Sequence, residues 1–158
     1  MNTMTHESPE TPEAAAPVRR IDQLLSHYGI CHTNPTNELI HYIAVPAIVL
    51  SVVGMFYSLH PYVAYVCIAA SLVYYARLSM VFLVSMAVML GVMLWAVQLV
   101  GPQLFWVSLA IFVVAWIFQF IGHKVEGKKP SFFEDLQYLL IGPLFVLSHL
   151  FRKLGIRW

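Results

Sequence analysis

Between Leu39 and His123 the only Asp, Glu, Lys or Arg is Arg77. That uncharged stretch constrains the fold more than any motif does. A soluble domain carries about a quarter of its residues charged. Here 59% of the 158 residues are hydrophobic and 11% charged, and Arg77 is the one charge inside the stretch. Lipid supplies the apolar exterior that such a sequence has no polar surface to cover, and within hydrocarbon only helices and closed barrels satisfy their own backbone. The expected class is an all-α, polytopic membrane helix bundle.

A hydrocarbon core about 30 Å thick needs roughly 20 apolar residues in helix. Residues 39–59, 78–100 and 104–122 meet that length. The shorter run 61–76 follows directly on the first and is uncharged. His60-Pro61 and Gly101-Pro102 read as turns, which gives two hairpins and four transmembrane helices. A fifth apolar segment, 136–151, is broken at Gly142-Pro143. It reads as re-entrant or interfacial, because all nine Lys and Arg, including Arg19, Arg77, Lys124 and Arg157, then fall on one face. Positive residues mark the cytoplasmic side, so both termini are expected there. Residues 1–20 are expected to be a disordered tail, acidic and Pro-containing and without the basic start of a secretory signal. Residues 21–158 then form one membrane-embedded domain, opened by an amphipathic helix over Ile21–Tyr28. Cys31 and Cys67 provide no disulfide framework, which suits a reducing compartment. The near-neutral charge gives no reason to expect a nucleic-acid partner.

Seven histidines accompany these few charges. His32 precedes the first span, His41 sits in its first turns and His123 closes the fourth. An even number of crossings returns His123 to the face of His32 and His41. His149 joins them only if the fifth segment folds back, and His60 lies in an opposite loop. Asn34-Pro35 is a helix start, which puts Asn37 and His41 on one helical face, as Gln119 and His123 are on another. Glu126 follows nearby. Polar groups at these depths turn from lipid to the bundle interior. Converging imidazoles suit a divalent transition metal (Fe, Zn, Cu or Mn), with Asn and Gln orienting the rings. The bland readings are an interfacial His, a solvated Glu126, and Lys124, Lys128 and Lys129 as headgroup charges. The convergence of His32, His41 and His123 favours ligation.

Two stretches carry a family resemblance. His32-Thr33-Asn34-Pro35-Thr36-Asn37-Glu38-Leu39-Ile40-His41 with Val45-Pro46 is one. Trp116-Ile117-Phe118-Gln119-Phe120-Ile121-Gly122-His123 with Glu126 and Pro130 is the other. Together they resemble the membrane 2-hydroxy fatty acid dioxygenases, bacterial and eukaryotic enzymes of fatty acid α-oxidation, over about Leu24 to Gly155. The resemblance implies an iron(II) enzyme that uses O2 to cleave a 2-hydroxy fatty acid between C1 and C2, leaving an acid one carbon shorter. It implies His32, His41 and His123 as iron ligands, with His149 a candidate fourth. Asn34, Asn37, Gln119 and Glu126 would support them, and Lys124 or Lys128 would hold the substrate carboxylate. The implied setting is a bacterial inner membrane with the site cytoplasmic, among membrane lipid, and compatible with a homo-oligomer. The competing classes are another His-liganded lipid hydroxylase or desaturase, a haem protein, and a non-catalytic scaffold or transporter. Transport sites lie near the midplane, where this sequence has no charge.

Overall fold

The computed structural model of the chain describes residues 18–29, 34–127 and 138–158. Those residues contain helices and turns and no strand. In order they form α1 (Arg20–Gly29), α2 (Pro35–Leu59), α3 (Pro61–Ala76), α4 (Met80–Gln98), α5 (Leu104–Glu126) and α6 (Gly142–Leu154), with single 3-10 turns at Gly101–Gln103 and Tyr138–Leu140. Three segments, Pro35–Leu59, Met80–Gln98 and Gly101–Glu126, are long and apolar enough to cross a membrane. At 1.5 Å per residue α3 reaches about 24 Å, short of a hydrocarbon core of about 30 Å.

The turns follow their sequence signals. Asn34 is extended and its side chain accepts from Thr36 N at 2.9 Å, starting α2 with Pro35 as first helical residue. His60 ends α2 and caps α3, its Nδ1 accepting from Tyr62 N at 3.3 Å. Gly101 takes φ 73°, a conformation that favours glycine, where α4 gives way to α5.

α2 and α5 form the most extensive pairing, and they run antiparallel. Near the loop end Gly54 of α2 lies so close to Ser108 of α5 that a Cβ would strike its hydroxyl. At the other end Gly122 of α5 sits equally close to Asn37 of α2. Small residues let membrane helices approach and gain packing that lipid does not provide. Between these points Ala44, Ile48, Ala115 and Trp116 form a small buried cluster. The larger core joins Tyr75, Phe82, Met86 and Leu90 of α3 and α4 to Leu144, Phe145 and Phe151 of α6 and to Ile21, Leu25 and Tyr28 of α1.

The outward surface is apolar. Val66, Val73, Val84, Val88, Val92, Val113 and Ile117 are all exposed. Tyr62, Trp95 and Trp106 are exposed near the His60 and Gly101 turns, the depth at which aromatic belts sit.

The amphipathic α1 is present, with Ile21, Leu25 and Tyr28 inward. The C-terminal segment differs in one respect from its sequence reading. Gly142-Pro143 begins α6 where a break was expected, because Pro is well placed in a first turn. α6 folds back onto α1 and α2. Gly142 permits this, since a Cβ there would lie 3.2 Å from Val45 Cγ1 and 3.3 Å from Tyr28 Oη. The Tyr75 hydroxyl donates to the Leu140 carbonyl at 3.0 Å and holds the preceding turn.

Candidate metal centre

The first turn of α2 and the last turns of α5 meet at one end of the bundle. Asn37, His41, Gln119 and His123 are all buried there, at 0%, 1%, 4% and 5% exposure. The i, i+4 spacing on each helix aims both pairs into the seam. The rings of His41 and His123 stand edge to face, with centroids 5.3 Å apart and an interplanar angle of 87°.

His41 Nδ1 lies 2.9 Å from the Asn37 carbonyl. A carbonyl only accepts, so Nδ1 carries the proton and, in the neutral ring, Nε2 carries the lone pair. This is the backbone contact that orients metal-binding histidines. The Nε2 atoms of both histidines are buried. Glu126, at the end of α5, reaches across to α2. Its Oε2 accepts from Asn34 N at 2.9 Å and from Asn37 Nδ2 at 3.1 Å. One carboxylate therefore ties the cap of α2 and the residue that orients His41 to the helix that carries His123. Gly127, with φ 75°, ends α5 immediately after Glu126.

Gln119 Oε1 is buried without a hydrogen-bond partner among the described residues. Gln119 lines a cavity of about 20 Å³ together with Tyr28, Trp116 and Gly142, room for one water. A buried amide oxygen of this kind needs a water, an ion or a ligand to satisfy it.

The structure thus joins His41, His123, Asn37, Glu126 and Asn34 into one constellation with Gln119 beside it. His32 and Lys128 lie outside the described residues, and Lys124 is exposed on the last turn of α5. Among the described residues no three His, Cys, Asp or Glu form a metal-binding group; the described residues bring two histidines together here. His60 is exposed at the far end of the bundle, capping α3.

His149 does return to this end of α2, but onto an adjoining face. Its Nε2 lies 2.9 Å from Glu38 Oε1 and its Nδ1 3.0 Å from the Phe145 carbonyl. The Tyr42 hydroxyl donates to the same Glu38 oxygen. Sequence reasoning assigned Glu38 no role. The spacing of Glu38 and Tyr42 was the available signal, an acid at the edge of a span with a phenol one turn on. The structure also has an apolar groove between α2 and α5, with a volume of about 530 Å³.

The comparisons with known proteins cover nearly all of this architecture. The family described as "2-hydroxy-palmitic acid dioxygenase Mpo1-like" matches residues 18–154. The chain is similar to the 2-hydroxy-palmitic acid dioxygenase MPO1 of Saccharomyces cerevisiae, with 31% identity over 138 residues, covering 83% of this chain and 79% of that protein. No solved structure matches the chain.

Proposed function

This chain belongs to the Mpo1-like family, and from that membership we propose that it is an iron(II)-dependent dioxygenase that cleaves 2-hydroxy fatty acids between C1 and C2. The products include a fatty acid one carbon shorter. The observation that carries the proposal is the buried, edge-to-face pairing of His41 and His123 at the meeting of α2 and α5.

The donor set fits a first-row transition ion: two buried imidazoles, one with its Nδ1 proton anchored, a carboxylate next to them and an unsatisfied amide oxygen. His41 and His123 would hold iron together with His32, which stands two residues before Asn34 in sequence. Bound iron would supply the site at which O2 meets the hydroxyl and carboxylate of the substrate.

The remaining work falls to the chain. Asn37 fixes the ring orientation of His41. Glu126 sets the spacing of the two helix ends and so of the two imidazoles. Gln119 supplies a hydrogen-bond acceptor to a water or a substrate hydroxyl. The apolar walls of α2 and α5 keep bulk water from the pocket. Lys124, with Lys128 in the same role, draws the substrate carboxylate to the bundle end. His149, with both ring nitrogens engaged, acts as the partner of Glu38 and docks α6.

The topology belongs to the same proposal. α2, α3, α4 and α5 cross a bacterial inner membrane, α3 with the help of its flanking aromatics, while α6 stays interfacial. Both termini and the histidine pair then face the cytoplasm, since the loops at His60 and Gly101 carry no Lys or Arg.

The test is anaerobic purification with metal quantification, then O2 addition in the presence of 2-hydroxypalmitate. Bound iron and formation of the shortened acid are expected. Iron-loaded protein that leaves 2-hydroxypalmitate intact, or protein that takes up no iron, refutes the assignment.

A further inference from the structure

The α2–α5 seam has an inner and an outer side. On the outer side a groove of about 530 Å³ runs along both helices. None of its lining side chains has a polar atom. Ile40, Ala44 and Ala47 of α2 face Ala110, Ala115 and Phe118 of α5 across it. The volume is in the range of small-molecule sites. Four alanines make the space, since a larger side chain at any of them would project into it. Gly54 and Gly122 hold the helices together beyond each end, so the groove is a property of this close pair and not a gap between loosely packed helices.

Its upper end lies close to the histidine pair along both helices, although neither histidine is among its lining residues. Ile40 adjoins His41 in sequence, and Ala44 lies one turn below it on the same face. On α5, Ala115, Gln119 and His123 follow at intervals of four residues, so they form one stripe. From Leu39 to Ala47 the rise is about 12 Å, less than half of a hydrocarbon core of about 30 Å. Ile43 and Phe118 flank the groove and are 69% and 51% exposed, so it opens sideways into the bilayer.

We infer that this groove takes the alkyl tail of the 2-hydroxy acid, which enters sideways from the lipid with its head at His41 and His123. The inference rests on the activity proposed above. A groove of this length holds the head-proximal part of a palmitoyl tail and lets the rest run on into lipid. Its walls are as apolar as the lipid they replace, so added methylenes gain little from entering. The groove therefore selects by shape. It tolerates long tails and rejects whatever its alanines do not clear.

Ala47 and Ala110 mark the deep end. Ala47→Phe and Ala110→Phe obstruct a long tail and leave a six-carbon acid, whose tail ends sooner, with less to clash against. In reconstituted enzyme, the turnover of 2-hydroxypalmitate relative to 2-hydroxyhexanoate is expected to fall by roughly tenfold or more, the scale of an overpacked apolar contact. Ala47→Leu moves the ratio in the same direction by less, and serves where a phenylalanine disturbs folding. A ratio equal to that of the unaltered enzyme in all three variants overturns the inference and gives the groove to ordinary lipid or a second copy. Binding is read independently of turnover by 2-hydroxypalmitate carrying a photoreactive diazirine at mid-chain. Labelling of the α2 and α5 groove residues, competed by 2-hydroxypalmitate but not by excess phospholipid, supports the tail site even if no product forms, in which case the activity reading alone fails. Labelling spread over the exposed faces of α3 and α4 overturns it.

Discussion

Replacing Gly122 by alanine tests the joint that builds the centre. A Cβ at Gly122 would sit well inside van der Waals contact of Asn37 Oδ1, 3.4 Å from Asn37 Cγ and 3.5 Å from Ile40 Cγ2. Asn37 has no room to give. It is fully buried, its Nδ2 is held by Glu126, and its carbonyl receives the His41 proton. The added methyl pushes the amide off Glu126 and also crowds the helix contact. Losing a hydrogen bond to a charged group is worth about 1.5–3 kcal/mol and overpacking about 1–3, offset by about 1 from the better helix propensity of alanine. The net loss is roughly 1.5–5 kcal/mol. Thermal or denaturant unfolding in one detergent measures it, with Gly91→Ala as the control, since a Cβ there meets nothing within 4 Å. The decisive comparison is a double-mutant cycle with Asn37→Ala. Truncating Asn37 removes the obstacle, so Gly122→Ala becomes nearly free in that background. If Gly122→Ala lies within about 0.5 kcal/mol of the unaltered protein, or loses as much in the Asn37→Ala background, the steric argument is wrong.

Three other outcomes follow from the same contacts. His41→Ala and His123→Ala each abolish stable iron binding while the helices remain folded, read by metal analysis beside circular dichroism; retention of full iron occupancy by either variant removes that residue from the ligand set. Glu38→Gln frees His149 and Tyr42 from their shared carboxylate and raises amide hydrogen exchange in α6, with iron content unchanged. A fall in iron content there would move His149 into the metal site. Tyr75→Phe deletes the bond to the Leu140 carbonyl and lowers stability by about 0.5–1.5 kcal/mol, whereas an unchanged unfolding midpoint would show that the turn before α6 does not depend on it.

Much of the bundle is legible in the sequence because its signals are local. The His60-Pro61 and Gly101-Pro102 turns fall where a capping histidine and a left-handed glycine put them. The ends of the helices were less legible. The start of α2 is the exception, since the Asn34-Pro35 signal places it at Pro35, before the apolar run, where the helix does begin. α5 continues past Gly122 to Glu126, since the bundle end tolerates polar residues and Gly127 supplies the stop. The Asn37/His41 and Gln119/His123 pairs were legible because a period of 3.6 residues fixes which side chains share a face. The contact of Gly122 with Asn37, the Glu38–His149 pair and the alanine groove were not. Each depends on how two helices cross, and helix periodicity does not encode crossing geometry.

The clasp made by Glu126 joins groups 89 and 92 residues apart, and this bears on how the protein is made. α2 leaves the ribosome first among the long helices and α5 last. Until α5 arrives, the Asn34 N–H and the Asn37 amide stand at the edge of an apolar span without the carboxylate that receives them. α2 on its own is thus a weaker membrane resident than its remaining sequence would suggest. Completion of the centre coincides with completion of the bundle. A chain stopped before α5 leaves the α2 cap and the Asn37 amide without the carboxylate that receives them.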